Sequence, residues 1–125
     1  MASRLVHYGT DECLRLMVLS HTGYSVEASG TSIPSFIRLL IREATDVIAI
    51  SEDDRDCNPE AVKISRLLSC APVVLFEGFD RNSNLPGVDL AIPRGTLPGQ
   101  WLHEIARVIQ LSKLKGGGSG HRCAA

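Results

Sequence analysis

The sequence predicts a single three-layer α/β/α sandwich built on a five-stranded parallel sheet. Three observations carry that expectation. Short apolar runs alternate along the chain with segments of helical period, the order that parallel strands and their crossover helices produce. Three runs, Asp46-Val-Ile-Ala-Ile-Ser51, Pro72-Val-Val-Leu-Phe76 and Val88-Asp-Leu-Ala-Ile92, are near-continuous, as strands covered on both faces are. The 125 residues, 44% of them apolar, make one domain by length.

The elements follow in order. Arg4-Leu5-Val6-His7-Tyr8 reads as the first strand. Thr10 through His21 carries Leu14, Met17 and Val18 at helical spacing, with Asp11 and Glu12 suited to a first turn. Gly23 ends that helix in the left-handed conformation. Tyr24-Ser-Val26-Glu-Ala28 alternates with period two and is the second strand. Ile33, Phe36, Ile37, Leu40 and Ile41 then recur on one face of an amphipathic helix. After the third strand, Asn58-Pro59-Glu60 supplies a cap and a proline for the first helical position, and Ala61, Ile64 and Leu68 continue that helix. Strands four and five are the runs ending at Phe76 and Ile92. Pro98 opens a last helix with Leu102, Ile105, Ala106 and Ile109 on one face. The domain is assigned residues 1–114. Residues 115–125 hold four glycines and a serine in five positions and read as a flexible tail.

Composition excludes several function classes. Thirteen Lys+Arg against fourteen Asp+Glu leave a charge of −1, with no basic excess for nucleic acid or an anionic membrane. Aromatics are 5%, too sparse for a base-stacking platform. No apolar run approaches the ~20 residues of a membrane helix, and Met1-Ala2-Ser3-Arg4 is not a signal peptide, so the cytoplasm is the expected compartment. Cys13, Cys57, Cys70 and Cys123 form no C-x-x-C pair and are expected as reduced thiols, with no metal site. Arg94-Gly-Thr-Leu-Pro-Gly99 lacks the spacing of a phosphate loop, so no nucleotide cofactor is expected.

Over residues 4–113 the chain resembles the receiver domain of bacterial response regulators, a flavodoxin-like fold. Gly23-Tyr24-Ser-Val26 resembles the family's Gly-Tyr-x-Val before strand 2. Thr45-Asp46-Val-Ile-Ala-Ile-Ser51 resembles its Pro-Asp-(apolar)-Asp strand 3. Ala71-Pro72-Val-Val-Leu-Phe76 resembles its strand 4, and Gly87-Val-Asp89-Leu-Ala-Ile-Pro-Arg94 its Gly-Ala-Asp-x-(apolar)-x-Lys strand 5. Leu97-Pro98-Gly-Gln-Trp-Leu102 resembles the start of its last helix.

The resemblance implies an acidic pair after strand 1 for Mg²⁺, an aspartate phosphoacceptor ending strand 3, a Ser/Thr after strand 4 and a lysine after strand 5. This sequence departs at nearly every one, with only Arg94 retaining the cation. Val6-His7, or Tyr8 to Thr10 after a small slip, stand at the acidic pair. Ser51 takes the phosphoacceptor position, Glu77 the switch position and Arg94 the lysine position. The expected pocket is therefore a degenerate one of Ser51, Glu77, Arg94 and His7, without Mg²⁺. Glu77 and Arg94 are candidates for an ion pair in place of the phosphate–lysine contact, or are two solvated charges. His7 is a candidate general base for Ser51, or a packed histidine. Glu52-Asp53-Asp54-Arg55-Asp56 is a displaced acceptor site at Asp53 or Asp54, or a solvated loop.

Between Glu77 and Gly87 the residues carry turn chemistry and no helical period, so helix 4 of the family pattern is expected to be missing or reduced to a turn. Its loss would expose Leu90, Trp101 or Val108 as a partner or dimer surface. The function expected is a non-enzymatic pseudo-receiver working by protein–protein contact with a signalling protein or a second copy. The alternatives are a phosphoreceiver using Asp53 or Asp54, and a small ligand-binding or enzymatic domain of the same fold.

Overall fold

The computed structural model describes residues 2–11, 14–52, 59–78 and 86–115. The order is β1 (Arg4–Tyr8), α1 (Arg15–His21), β2 (Ser25–Ala28), α2 (Ile33–Arg42), β3 (Val47–Ser51), α3 (Pro59–Leu68), β4 (Val73–Phe76), β5 (Leu90–Ile92) and α4 (Pro98–Lys115). The five strands form one sheet in the order β2-β1-β3-β4-β5, and every neighbouring pair is parallel. The flavodoxin-like sandwich predicted from the sequence is the observed architecture.

The strand period of two divides the core into two layers. Val6, Tyr8, Ile48, Ile50, Val73 and Leu75 face α2 and α3, where they pack on Phe36, Leu40, Ala61 and Val62. Leu5, Val47, Ala49, Val74, Phe76 and Ile92 face α1 and α4, where they meet Leu19, Trp101, Ile105 and Ile109. The central strands β1, β3 and β4 are buried along their whole length, which is why they read as continuous runs.

Side-chain caps set the helix ends. Ser32 caps α2 by accepting the Ser35 N–H at 3.3 Å. At the end of α1, Gly23 adopts φ +102, and the Tyr24 N–H donates back to the Leu19 carbonyl at 3.1 Å. The start of α1 differs from the expectation of a helix from Thr10: it begins at Arg15. Asp11 reaches across to accept the N–H of Arg15 at 2.9 Å and of Leu16 at 3.2 Å, while Leu14 sits at φ 53 and breaks the helical path.

A buried cation organises the amino ends of the strands. Arg4, 8% exposed, donates to the carbonyls of Leu39 in α2 at 2.7 Å and of its C-cap Glu43 at 2.9 Å, to Thr45 Oγ1, and to the Glu27 carboxylate, which Arg42 also binds. The guanidinium thus satisfies carbonyls that a helix end leaves open.

Four expectations need correction or fall outside the description. Trp101 is not a surface residue: it is 2% exposed and packs edge-on against Phe76 at 5.4 Å. Leu90 and Val108 are half-buried against the same cluster. Nor are all four cysteines reduced, because Cys70 is disulfide-bonded. The expected loss of helix 4 concerns residues 79–85 and, like the tail at 116–125, lies outside the described residues; among the described residues between β4 and β5 none is helical. No helix among the described residues is long and apolar enough to cross a membrane.

Candidate functional site

In a sheet of this order the crossovers diverge between β1 and β3, and the crevice at the carboxyl ends of those strands is the expected site. The sequence places His7, Gly9 and Ser51 there. His7 pairs with Ala49 and Tyr8 with Ile50 in the β1–β3 register, so Gly9 arrives beside Ser51.

The structure brings His7 and Ser51 together. His7 Nε2 and Ser51 Oγ are 2.8 Å apart, with His7 1% and Ser51 3% exposed. Both project to the α1/α4 face of the sheet, as their strand parity requires. Gly9 closes the site from β1. Its φ is +114, and a Cβ there would lie 2.4 Å from the Ser51 carbonyl oxygen, so no larger residue fits beside β3.

A Ser–His contact invites a nucleophile reading, and the electrostatics answer it. If the Ser51 hydroxyl donates to Nε2, the proton of His7 lies on Nδ1. Nδ1 is buried and has no hydrogen-bond partner among the described residues. Burial lowers the His7 pKa from 6.5 to about 4; Asp11 opposes this and Arg15 adds to it. A base that resists protonation and lacks an orienting carboxylate on its second nitrogen is a poor acceptor for the serine proton. The pair is a neutral, buried hydrogen bond.

Glu52 follows Ser51 and is the site residue that sequence reasoning missed. It is 6% exposed, its N–H donates to the Phe76 carbonyl at 3.0 Å, and its Oε1 accepts the Gly78 N–H at 3.3 Å. Its position directly after a fully buried strand was the available signal. Reading it as the start of a solvated acidic loop concealed that signal. Glu77 and Arg94 stand at the carboxyl ends of β4 and β5, with the Glu77 N–H donating to the Ile92 carbonyl at 2.9 Å. Asp53 and Asp54 lie outside the described residues.

The receiver pattern implies Mg²⁺, and the described residues do not fit it. A hard cation needs several oxygen ligands, commonly carboxylates. The end of β1 offers a neutral imidazole and a glycine, the Asp11 carboxylate is committed to the amides of α1, and Glu52 Oε1 is committed to Gly78. Among the described residues no group of three His, Cys, Asp or Glu side chains gathers as a ligand set.

The chain matches no family model and no curated protein. It is similar to solved receiver structures. A CheY-like response regulator receiver domain protein from Methanospirillum hungatei JF-1 aligns with a TM-score of 0.74 at 16% identity, covering 93% of this chain and 100% of that one. A response regulator receiver protein from Sinorhizobium medicae WSM419 gives 0.68 at 18% identity, over 89% and 97%. A response regulator receiver modulated diguanylate cyclase from Pelobacter carbinolicus gives 0.70 at 15%, over 93% and 99%. The chain therefore has the receiver-domain fold.

Proposed function

We propose that the chain is a receiver-like signal-transduction module of the two-component type that acts by protein–protein contact without being phosphorylated. The observation that supports this most is the His7–Ser51 pair. At the position where a receiver presents its phosphoacceptor, this chain holds a buried hydroxyl already hydrogen-bonded to a neutral imidazole. A serine hydroxyl needs a competent base to accept a phosphoryl group, and burial makes the His7 imidazole a weak one. Gly9 leaves the end of β1 without a carboxylate.

In this reading Glu77 and Arg94 place a fixed negative and positive charge at neighbouring strand ends, where a working receiver gains negative charge only on phosphorylation. The module is non-enzymatic, and its partner is a signalling protein or a second copy. Intact-mass measurement after incubation with acetyl phosphate and Mg²⁺ tests the reading. The expected result is no phosphate adduct. An adduct that disappears in Asp53→Ala or Asp54→Ala would establish the displaced-acceptor alternative instead.

A further inference from the structure

At the amino ends of the strands, opposite the His7–Ser51 site, lies a cavity of about 360 Å³. Three segments form it: the turn from α2 into β3, the turn from α3 into β4, and the last two turns of α4. We propose that it binds a small aliphatic α-amino acid as the zwitterion. The ammonium sits on Asp46, the carboxylate on Lys113, and the side chain against Leu40, Leu68 and Ile109.

The wall carries charges of both signs that do not neutralise each other. Asp46 and Lys113 both line the cavity. Asp46 Oδ2 accepts the Arg4 N–H at 2.7 Å, and Oδ1 accepts no hydrogen bond among the described residues. Lys113 is exposed and takes part in none of the ion pairs among the described residues. The two charges stand too far apart to pair directly. A ligand that carries both signs answers each of them, whereas an anion or a cation alone leaves one unanswered.

The backbone favours the same orientation. Helices α2 and α3 end at this cavity, so the negative ends of their dipoles favour an ammonium there. This end of the fold already holds an organic cation. The Arg4 guanidinium donates to the Glu43 carbonyl and to Thr45 Oγ1, at 2.9 Å each, and Glu43 and Thr45 line the same cavity.

Size and lining set the ligand class. Cavities that hold small molecules start at about 300 Å³ and combine apolar walls with a few placed polar groups. Leu40, Leu68, Pro72 and Ile109 supply such a wall, which suits a branched aliphatic side chain. Leu40 and Leu68 come from helices on one face of the sheet, Ile109 and Lys113 from the helix on the other, so the ligand ties the two layers together. The site is separate from the His7–Ser51 pair, and its test is independent of the test for phosphorylation.

An amide NMR titration of the full chain with L-leucine tests the proposal. Saturable shifts are expected at Asp46, Ala71 and Lys113 and not at Ser51. L-leucinamide, which lacks the carboxylate, and 4-methylpentanoate, which lacks the ammonium, are each expected to bind about tenfold more weakly or worse. Lys113→Met and Asp46→Asn are expected to weaken L-leucine by a similar factor. Asparagine keeps an acceptor for the Arg4 N–H, and Lys113 is exposed, so the lysine variant reads the site even if the other fails to fold. Absence of saturable shifts would overturn the proposal. So would 4-methylpentanoate binding as tightly as L-leucine, or L-leucine binding unchanged in Lys113→Met.

Discussion

His7 Nε2 and Ser51 Oγ meet at 2.8 Å, buried, at the carboxyl ends of two adjacent parallel strands. The contact follows from parity and register: each residue lies on the α1/α4 side of its strand, and Gly9 lets β1 pass close to the Ser51 carbonyl. The receiver resemblance implies carboxylates at this place; here the two side chains form a neutral pair.

Stability is expected to depend on pH through His7. Its folded pKa is about 4 against an ordinary 6.5, so the unfolded chain takes up a proton that the folded chain refuses. Stability is then full above pH 6.5 and falls as pH drops toward 4, by about 3 kcal/mol in total. Urea denaturation at several pH values checks this. His7→Gln removes the slope between 6.5 and 4. The Glu27 carboxyl, held below its usual range chiefly by its hydrogen bond to Arg4, adds a loss only at lower pH, as its protonation begins.

Gly9→Ala is expected to cost more than about 2 kcal/mol, because a Cβ would overlap the Ser51 carbonyl and a positive φ is strained for alanine. Gly99→Ala is the control. Gly99 lies in α4 with nothing within 4 Å of a Cβ, so alanine there is expected to be neutral or to stabilise by up to about 1 kcal/mol. Thermal unfolding of both variants reads the contrast.

Arg4→Met is expected to destabilise by about 2–4 kcal/mol, since it strands the carbonyls of Leu39 and Glu43 at the end of α2 and removes the main partner of Glu27. Chemical denaturation measures it. Adding Glu27→Gln to Arg4→Met is expected to recover part of the loss, because the unpaired carboxylate goes with it.

These predictions draw on features of unequal visibility in the sequence. The sheet was legible because three buried strands carry unbroken apolar runs and the helices carry a 3.6-residue period. Proximity of His7 and Ser51 was legible once their strands were read as neighbours. The state of that pair was not, since it depends on burial and on an Nδ1 without a partner. Trp101 was misread because an expected missing helix suggested exposure, whereas its ring packs at a near-right angle to Phe76. Arg4 gave no signal: nothing in a five-residue apolar strand shows that its first side chain will cap a helix 35 residues away. Cys70 was read as a thiol because spacing alone does not reveal which cysteines the fold oxidises.

The most direct test of phosphorylation-independent action is an amide NMR titration with Mg²⁺ followed by beryllofluoride, which mimics an aspartyl phosphate. The account predicts no saturable shift at Ser51, Glu77 or Arg94. Saturable shifts at these residues at low millimolar Mg²⁺, growing on addition of beryllofluoride, would contradict it and identify a working phosphoreceiver.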